Sequence, residues 1–348
     1  MQRTKLPYII FEVTSVCNLR CRYCYNPWKR PGEPDLNDNS YKLAMKTLKR
    51  LFKVAEIEHV TMTGGEPFLA ERFSELVLFC RMEKKGVTII SNGATASDED
   101  YGIMLSLGVD LFEFPFHSVT PEIHDYLTQV PGSQKKVLNS FKYVIEHKGY
   151  VVPAVVITGL NYKNVGERLR FLNKEFGLTT MMLNRFNIGG TGIKEIENIK
   201  ISNEQLNEAF TDAAETGKEL SLTLTSNVCT PFCVLNPKDY PDIRMSSCSS
   251  SVTNMPLTLD INGNMRLCNH SPVIVGNIYK DNITDMLRSE YVKRWKTSVP
   301  EFCKGCEFFP ECLGGCRAAS EQVGMSIFDP DPVIDNWSDP LRKKKFGV

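Results

Sequence analysis

The 348-residue chain lacks any excess of charge: Lys+Arg and Asp+Glu each number 41. Without a broad basic field, binding to nucleic acid through its phosphates is not expected. The one basic run, Arg342-Lys343-Lys344-Lys345, reads as a solvated tail. The chain also lacks an apolar stretch long enough to span a bilayer. Its first residues, Met1 to Lys5, have neither the apolar core nor the small-residue cleavage site of a signal peptide. There are no internal repeats and no low-complexity segments. These absences point to a cytoplasmic protein with no membrane and no nucleic acid among its partners.

What the chain does have is cysteine, 12 in all. In a reducing compartment, grouped thiols more often bind metal than form disulfides. Three of them, Cys17, Cys21 and Cys24, fall within eight residues. Three thiolates are one ligand short of a closed tetrahedral site or a closed cubane, so one corner is left for something else.

The pattern around them is regular. Residues 8–14 read as a buried strand, 40–54 as a helix, and 59–63 as a strand ending in Gly64-Gly65-Glu66-Pro67. A helix at 70–85 leads to a strand at 87–91, which ends in Ser91-Asn92-Gly93. Helix 97–107, strand 109–116 ending at His117-Ser118, helices 120–128 and 134–147, strand 151–157, helix 163–176 and strand 179–186 complete the series. Six strands alternating with helices predict an α/β fold with a parallel sheet, a partial (β/α)6 TIM-like barrel. In such barrels the chemistry lies at the C-terminal ends of the strands. The cysteine loop, Gly64–Pro67, Ser91–Gly93, His117 and Arg185 all fall there.

After residue 200 the pattern changes. A helix at 202–216 and a strand at 220–225 precede a cysteine-rich region. Ile261-Asn262-Gly263-Asn264 signals a β-hairpin, and a helix is expected at 283–296. The domains read as 1–200 for the barrel, 201–227 for a connecting helix and strand, and 228–348 for the cysteine-rich part.

Cys-x3-Cys-x2-Cys at 17–24, with Tyr23 before the last thiol, resembles the signature of the radical S-adenosylmethionine (SAM) superfamily. The resemblance implies a [4Fe–4S] cluster on Cys17, Cys21 and Cys24 whose fourth iron chelates SAM. It further implies cofactor-binding roles for Tyr23, Gly64, Gly65, Glu66, Ser91, Asn92, His117 and Arg185. Glu66 would accept from the SAM ammonium, and Gly64 and Gly65 would let the backbone approach a ligand. Arg185 would lie near the methionine carboxylate, and His117 would line the adenosine pocket. The competing readings are a zinc site, an ordinary turn at Ser91–Asn92, a surface pair for Arg185 and a satisfied core histidine for His117.

Cys248-x14-Gly263-x4-Cys268 followed by Cys303-x2-Cys306-x5-Cys312-x3-Cys316 resembles the SPASM extension of that superfamily, with two auxiliary iron–sulfur clusters. The resemblance gives the first cluster Cys248, Cys268 and Cys316 plus an upstream ligand, for which Cys233 is the first candidate and Cys229 the second. The second cluster takes Cys303, Cys306 and Cys312. The family's last cysteine is missing: Ile334 stands roughly in its place. Asp329, Asp331 or Asp335 could supply an oxygen instead, or the iron could be open, or the cluster lost. Cys229 is otherwise a buried thiol or a hydrogen-atom donor, and no catalytic side chain is assigned. Cys80 reads as a small buried hydrophobe.

The activity implied is reductive cleavage of SAM to a 5′-deoxyadenosyl radical that abstracts hydrogen from a substrate. The first substrate class is a ribosomally made peptide being crosslinked or oxidised. The strand at residue 8 leaves no room for a leader-binding domain, so a separate leader-peptide-binding protein or direct binding to the barrel is expected. An electron donor such as flavodoxin or ferredoxin is also implied. Alternatives are sulfatase-maturase-like oxidation of Cys or Ser, tetrapyrrole or cofactor biosynthesis and, outside enzymes, an iron–sulfur electron carrier or zinc scaffold.

Overall fold

The computed structural model describes residues 3–28, 30–31, 40–248 and 255–335. The basic run at 342–345 and the side chain of Asp335 lie outside the described residues.

Eight strands run parallel and in sequence order: β1 (Thr4–Thr14), β2 (Ala55–Gly64), β3 (Gly86–Ile90), β4 (Leu111–Pro115), β5 (Val151–Ile157), β6 (Thr180–Arg185), β7 (Thr223–Ser226) and β8 (Ile243–Met245). Helices α1 (Ser40–Val54), α2 (Phe73–Met82), α3 (Asp98–Ser106), α4 (Pro121–Thr128), α5 (Ser133–Glu146), α6 (Val165–Phe176) and α7 (Asn203–Glu219) connect them. The partial barrel is therefore the observed core, extended by two strands. β8 has only three residues in a Pro- and Asp-rich stretch, too short for a periodic signal.

β1 starts at Thr4, not residue 8, because the polar Thr4 and Lys5 pair with Ala55 and Glu56. Past the barrel, β9 (Thr258–Asp260) adds to the open edge of β1 in parallel, with Ile10 opposite Thr258. β10 (Asn264–Arg266) and β11 (Gly276–Asn277) follow antiparallel. The expected hairpin turns at Gly263, whose φ of +83° is open to glycine at little cost. One sheet of 11 strands thus joins the barrel to the cysteine-rich region. The expected helix at 283–296 is two pieces, Ile283–Met286 and α8 (Glu290–Thr297). The break lies at Ser289, whose side chain caps the second piece. The last helix, α9 (Arg317–Gln322), follows Cys316 directly.

The two faces of the sheet differ. Phe11, Met62, Ile89 and Phe112 are in register across β1–β4, and each is 0% exposed. With Phe114, Phe116 and Phe141 they form an aromatic and aliphatic layer under the helices. The alternate positions face the other way. Glu12 pairs with Thr63, Ile90 with Glu113, Glu113 with Val152, and Val156 with Asn184. Thr63, Ile90, Glu113, Val152, Val156 and Asn184 keep partial exposure, as residues lining a barrel lumen do. Strand alternation alone sorts a dry layer from a partly exposed interior of mixed polarity.

Phe114 is wholly buried against Tyr101, Phe112 and Phe141. Phe114→Ala should cost about 3–5 kcal/mol in stability. Denaturant unfolding followed by circular dichroism reads this directly. A loss below about 1 kcal/mol would contradict a close-packed layer.

Candidate radical and cluster sites

The cysteine loop leaves β1 at Thr14 and is held from two sides. On one side Gly65 N–H donates to Thr14 O and Glu66 N–H to Val16 O, both at 2.7 Å. A Cβ at Gly65 would stand 1.9 Å from Val16 O, and one at Gly64 2.2 Å from Thr14 O. The two glycines are required because backbone meets backbone there. On the other side Arg22 N–H donates to Leu127 O at 2.8 Å, and Arg20 N–H to Thr128 O at 3.3 Å. The Arg22 side chain lies over the Tyr126 ring and pairs with Glu195. Cys17 and Cys21 are buried and Cys24 is half-buried.

Tyr23 reaches into the loop. His117 accepts Val156 N–H at Nδ1 (3.3 Å), so its proton sits on Nε2, which donates to the Tyr23 hydroxyl at 2.6 Å. Tyr23 in turn donates to Cys21. Burial pushes the Tyr23 hydroxyl well up, and Cys21, Cys24 and Cys17 all add to the rise. The Tyr23 hydroxyl thus feels all three thiols of the loop, and three thiolates on one loop suit a cluster with one iron left open. Among the described residues no three His, Cys, Asp or Glu side chains are placed to hold one ion.

Glu66 is fully buried. Its oxygens accept from Ser91 Oγ (2.8 Å), Asn92 N–H (2.7 Å) and Phe68 N–H (3.2 Å). It ties the end of β2 to the end of β3. Asn92 Nδ2 then donates to Asn18 Oδ1 at 2.8 Å and lies 3.9 Å from Cys17 Sγ. The Gly64–Glu66 and Ser91–Asn92 segments are thus brought to the cysteine loop. His117 is 0% exposed; its backbone N–H donates to His124 Nδ1, and its carbonyl accepts from Asn161. Burial holds its ring well below the usual histidine range, so it stays neutral.

Arg185 is buried. Its guanidinium donates to Thr230 Oγ1 (3.1 Å), Phe186 O (3.1 Å), Asn187 Oδ1 (3.1 Å), Cys229 O (2.9 Å) and Asp331 Oδ2 (2.5 Å). Asp331 also accepts Cys316 N–H at 2.7 Å and Val333 N–H at 3.1 Å. Asp329 accepts from the backbone and hydroxyl of Ser326 at 2.8 and 2.9 Å.

The later cysteines form two groups. Cys229 lies with Cys248, Cys268 and Cys316: it hydrogen-bonds Cys248, and all three thiols raise its pKa. The hydrogen bond from Cys229, with Arg317 alongside, holds Cys248 down. Asn187 Nδ2 donates to Cys316 Sγ at 3.3 Å. Cys233, the first candidate for this group, follows Phe232, whose N–H donates to Cys312 Sγ at 3.3 Å. Spacing alone did not separate Cys229 from Cys233, which are four residues apart. Cys80 is buried in α2, its thiol pushed up to about 12 by desolvation.

Two lumen groups escaped the sequence reading. Glu12 on β1 pairs with Arg266 on β10 in a buried contact between barrel and hairpin. Glu113 lines the lumen, and desolvation raises it to about 7. A carboxylate inside an apolar-looking strand, Leu111-Phe112-Glu113-Phe114-Pro115, was the available signal.

Two tests follow from this geometry. Gly65→Ala should displace the cysteine loop and lower bound iron by about one cubane's four atoms, read by iron assay after anaerobic reconstitution. Full iron content would show that the loop does not depend on the close approach. For Glu113 the folded state holds the proton more tightly than the unfolded chain, so stability falls as pH rises from about 4.5 to about 7. Glu113→Gln should flatten that part of a pH series of denaturation midpoints. An unchanged slope would place the titration elsewhere.

Comparison with known proteins agrees with this arrangement. The Radical SAM superfamily model matches residues 11–172, and the SPASM model, an iron–sulfur cluster-binding domain, matches residues 248–307. A tungsten-containing aldehyde ferredoxin oxidoreductase cofactor-modifying protein from Pyrococcus furiosus is 32% identical over 175 residues, 48% of each chain. The alignment therefore spans only about half of that relative. The PqqA peptide cyclase of Gluconobacter oxydans is 23% identical over 93% of this chain and 89% of its own length. The mycofactocin maturase of Mycolicibacterium smegmatis is 22% identical over 97% and 85%. Among solved structures, anSMEcpe with bound AdoMet and a Cp18Cys peptide superposes with a TM-score of 0.71 at 16% identity, covering 98% of this chain and 95% of that one. With three thiols on a strand-end loop and two further thiol groups beyond the barrel, the chain carries a Radical SAM domain over residues 11–172 and a SPASM domain over residues 248–307.

Proposed function

We propose that this protein is a radical SAM enzyme that modifies a ribosomally made peptide. The observation that carries the substrate class is the length of two matches. The PqqA peptide cyclase and the mycofactocin maturase align over 93% and 97% of the chain, through barrel and SPASM domain alike. The relative from Pyrococcus furiosus aligns over under half the chain, so it bears on one part of the molecule only.

Cys17, Cys21 and Cys24 would hold the cluster, leaving one iron for SAM. When bound there, the pair supplies a 5′-deoxyadenosyl radical that takes a hydrogen atom from the substrate. The chain's own part is positioning. Tyr23 and Asn92 set the loop's hydrogen bonds, which tune a cluster's potential. Glu66 locks the β2 and β3 ends together, so Ser91, Asn92 and the loop keep one geometry. The lumen offers Glu113 and Asn184 to a peptide. Near neutral pH, Glu113 can donate as an acid or accept as a carboxylate. An electron donor and a separate leader-binding protein complete the proposal as partners. Among the described residues no helix is long and apolar enough to cross a membrane.

The test is anaerobic turnover. With SAM and a strong reductant, the reconstituted protein should form 5′-deoxyadenosine, measured by chromatography. Cys21→Ala should reduce the product to background while iron at the auxiliary groups remains. Product formation by Cys21→Ala would remove the loop from the chemistry. A precursor peptide of unchanged mass after turnover with its cognate enzyme would remove the peptide assignment alone.

A further inference from the structure

We propose that Cys233 is the fourth thiolate of the second auxiliary cluster, joining Cys303, Cys306 and Cys312. The inference rests on cluster binding by the SPASM domain and not on the identity of the substrate.

The placement comes from the turn that carries Cys233. Phe232 N–H, one residue before it, donates to Cys312 Sγ at 3.3 Å. Pro231 packs against the loop that follows Cys312: its Cγ is 2.5 Å from where a Cβ of Gly315 would be, so only glycine admits it. Cys303 Sγ flanks the same loop, 3.5 Å from the Cβ position of Gly314. The thiols also feel one another. Burial raises the pKa of Cys233, with Cys312, Cys306 and Asp331 adding to the rise, and burial raises that of Cys303, with Cys312, Cys233 and Cys306 adding.

The other candidates are engaged elsewhere. Asp331 is ion-paired with Arg185 and accepts the Cys316 amide. Asp329 closes the Ser326 turn. Cys229 is hydrogen-bonded to Cys248 in the first group. Cys233 and Cys306 are both exposed, so the second group reaches the surface.

The arrangement has a structural consequence. Cys229 and Cys233 belong to one segment, Cys229-Thr230-Pro231-Phe232-Cys233, and serve different clusters. Thr230 between them is bonded by Arg185. The segment is a covalent bridge between the two auxiliary sites. A second cluster with four thiolates has no open iron, so substrate cannot ligate it.

Ligation is read from thiol protection in the unmutated holoprotein. Anaerobic iodoacetamide labelling with peptide mass spectrometry should find Cys233 and Cys306 both protected. Both should label after iron is removed by a chelator. Labelling of Cys233 while Cys306 stays protected would overturn the proposal. Labelling of both would mean no second cluster and would overturn it too. The radical SAM reading would survive either result, because it is read separately from protection of Cys21 and from 5′-deoxyadenosine. As a second measurement, Cys233→Ala is placed in a Cys17→Ala/Cys21→Ala/Cys24→Ala background, so that only auxiliary clusters remain. It should lose iron or show a three-iron signal by electron paramagnetic resonance. Iron content and spectrum equal to those of the background would also overturn the proposal. The exposed turn position lets the chain fold without the thiol.

Discussion

The backbone contact of Gly64 and Gly65 with Thr14 and Val16 is the constraint on which the rest of the site depends. Parallel pairing of β1 and β2 ends there with a register shift between Glu12 and Thr14. The chain must turn into the cysteine loop while still satisfying its amide donors. Two residues without side chains allow it. Glu66 follows at once, and its buried carboxylate takes the donors at the end of β3. Cysteine loop, second strand end and third strand end thus become one rigid body. Such rigidity is what a site needs when its chemistry tolerates little displacement of the reacting groups.

The same contact adds a second physical meaning to the glycines. In the sequence they read as room for a ligand. In the structure the chain itself also makes a close approach there, and the loop's position follows from it. Glu66 reads as an acceptor for an ammonium, and its oxygens also accept from Ser91, Asn92 and Phe68. These contacts help to fix where the loop and Asn92 stand.

The barrel was legible because each βα unit carries its own punctuation. Strands rich in Val, Ile and Phe end at Gly64, Asn92 and His117, and helices stop at Gly108 and Gly177, where φ is positive. The radical loop was legible because its ligands are local. The auxiliary ligand sets were only half legible, since they join residues about 60–90 positions apart. Spacing identifies Cys303, Cys306 and Cys312 as neighbours. It does not show which way the turn at Pro231 swings, and that turn decides between Cys229 and Cys233. A basic residue at a strand end suggests an anionic partner, but spacing gives no sign of the ion pair between Arg185 and Asp331, 146 residues away.

That pair also explains how the two halves of the molecule hold together. Arg185 and Asp331 have no exposed side-chain surface. Burying two charges is tolerable only when their remaining hydrogen-bonding capacity is met. Here Arg185 has four further acceptors, and Asp331 has two backbone donors. Removing either partner would leave a buried charge, at a cost of about 3–5 kcal/mol. The pair sits between Cys316 of the first auxiliary group and the Cys229–Cys233 segment. Its net charge is zero, but its orientation is fixed: the guanidinium toward Cys229 O and Thr230, the carboxylate toward the Cys316 amide. Burial and the nearby carboxylate push the Cys316 thiol up to about 12, with Arg185 opposing. Asp331 is therefore best understood as the residue that orients Cys316 and anchors the tail to β6. With the carboxylate held by these contacts, the proposed fourth ligand of the second auxiliary cluster is the neighbouring thiol Cys233, one residue beyond the Phe232 amide that donates to Cys312 Sγ.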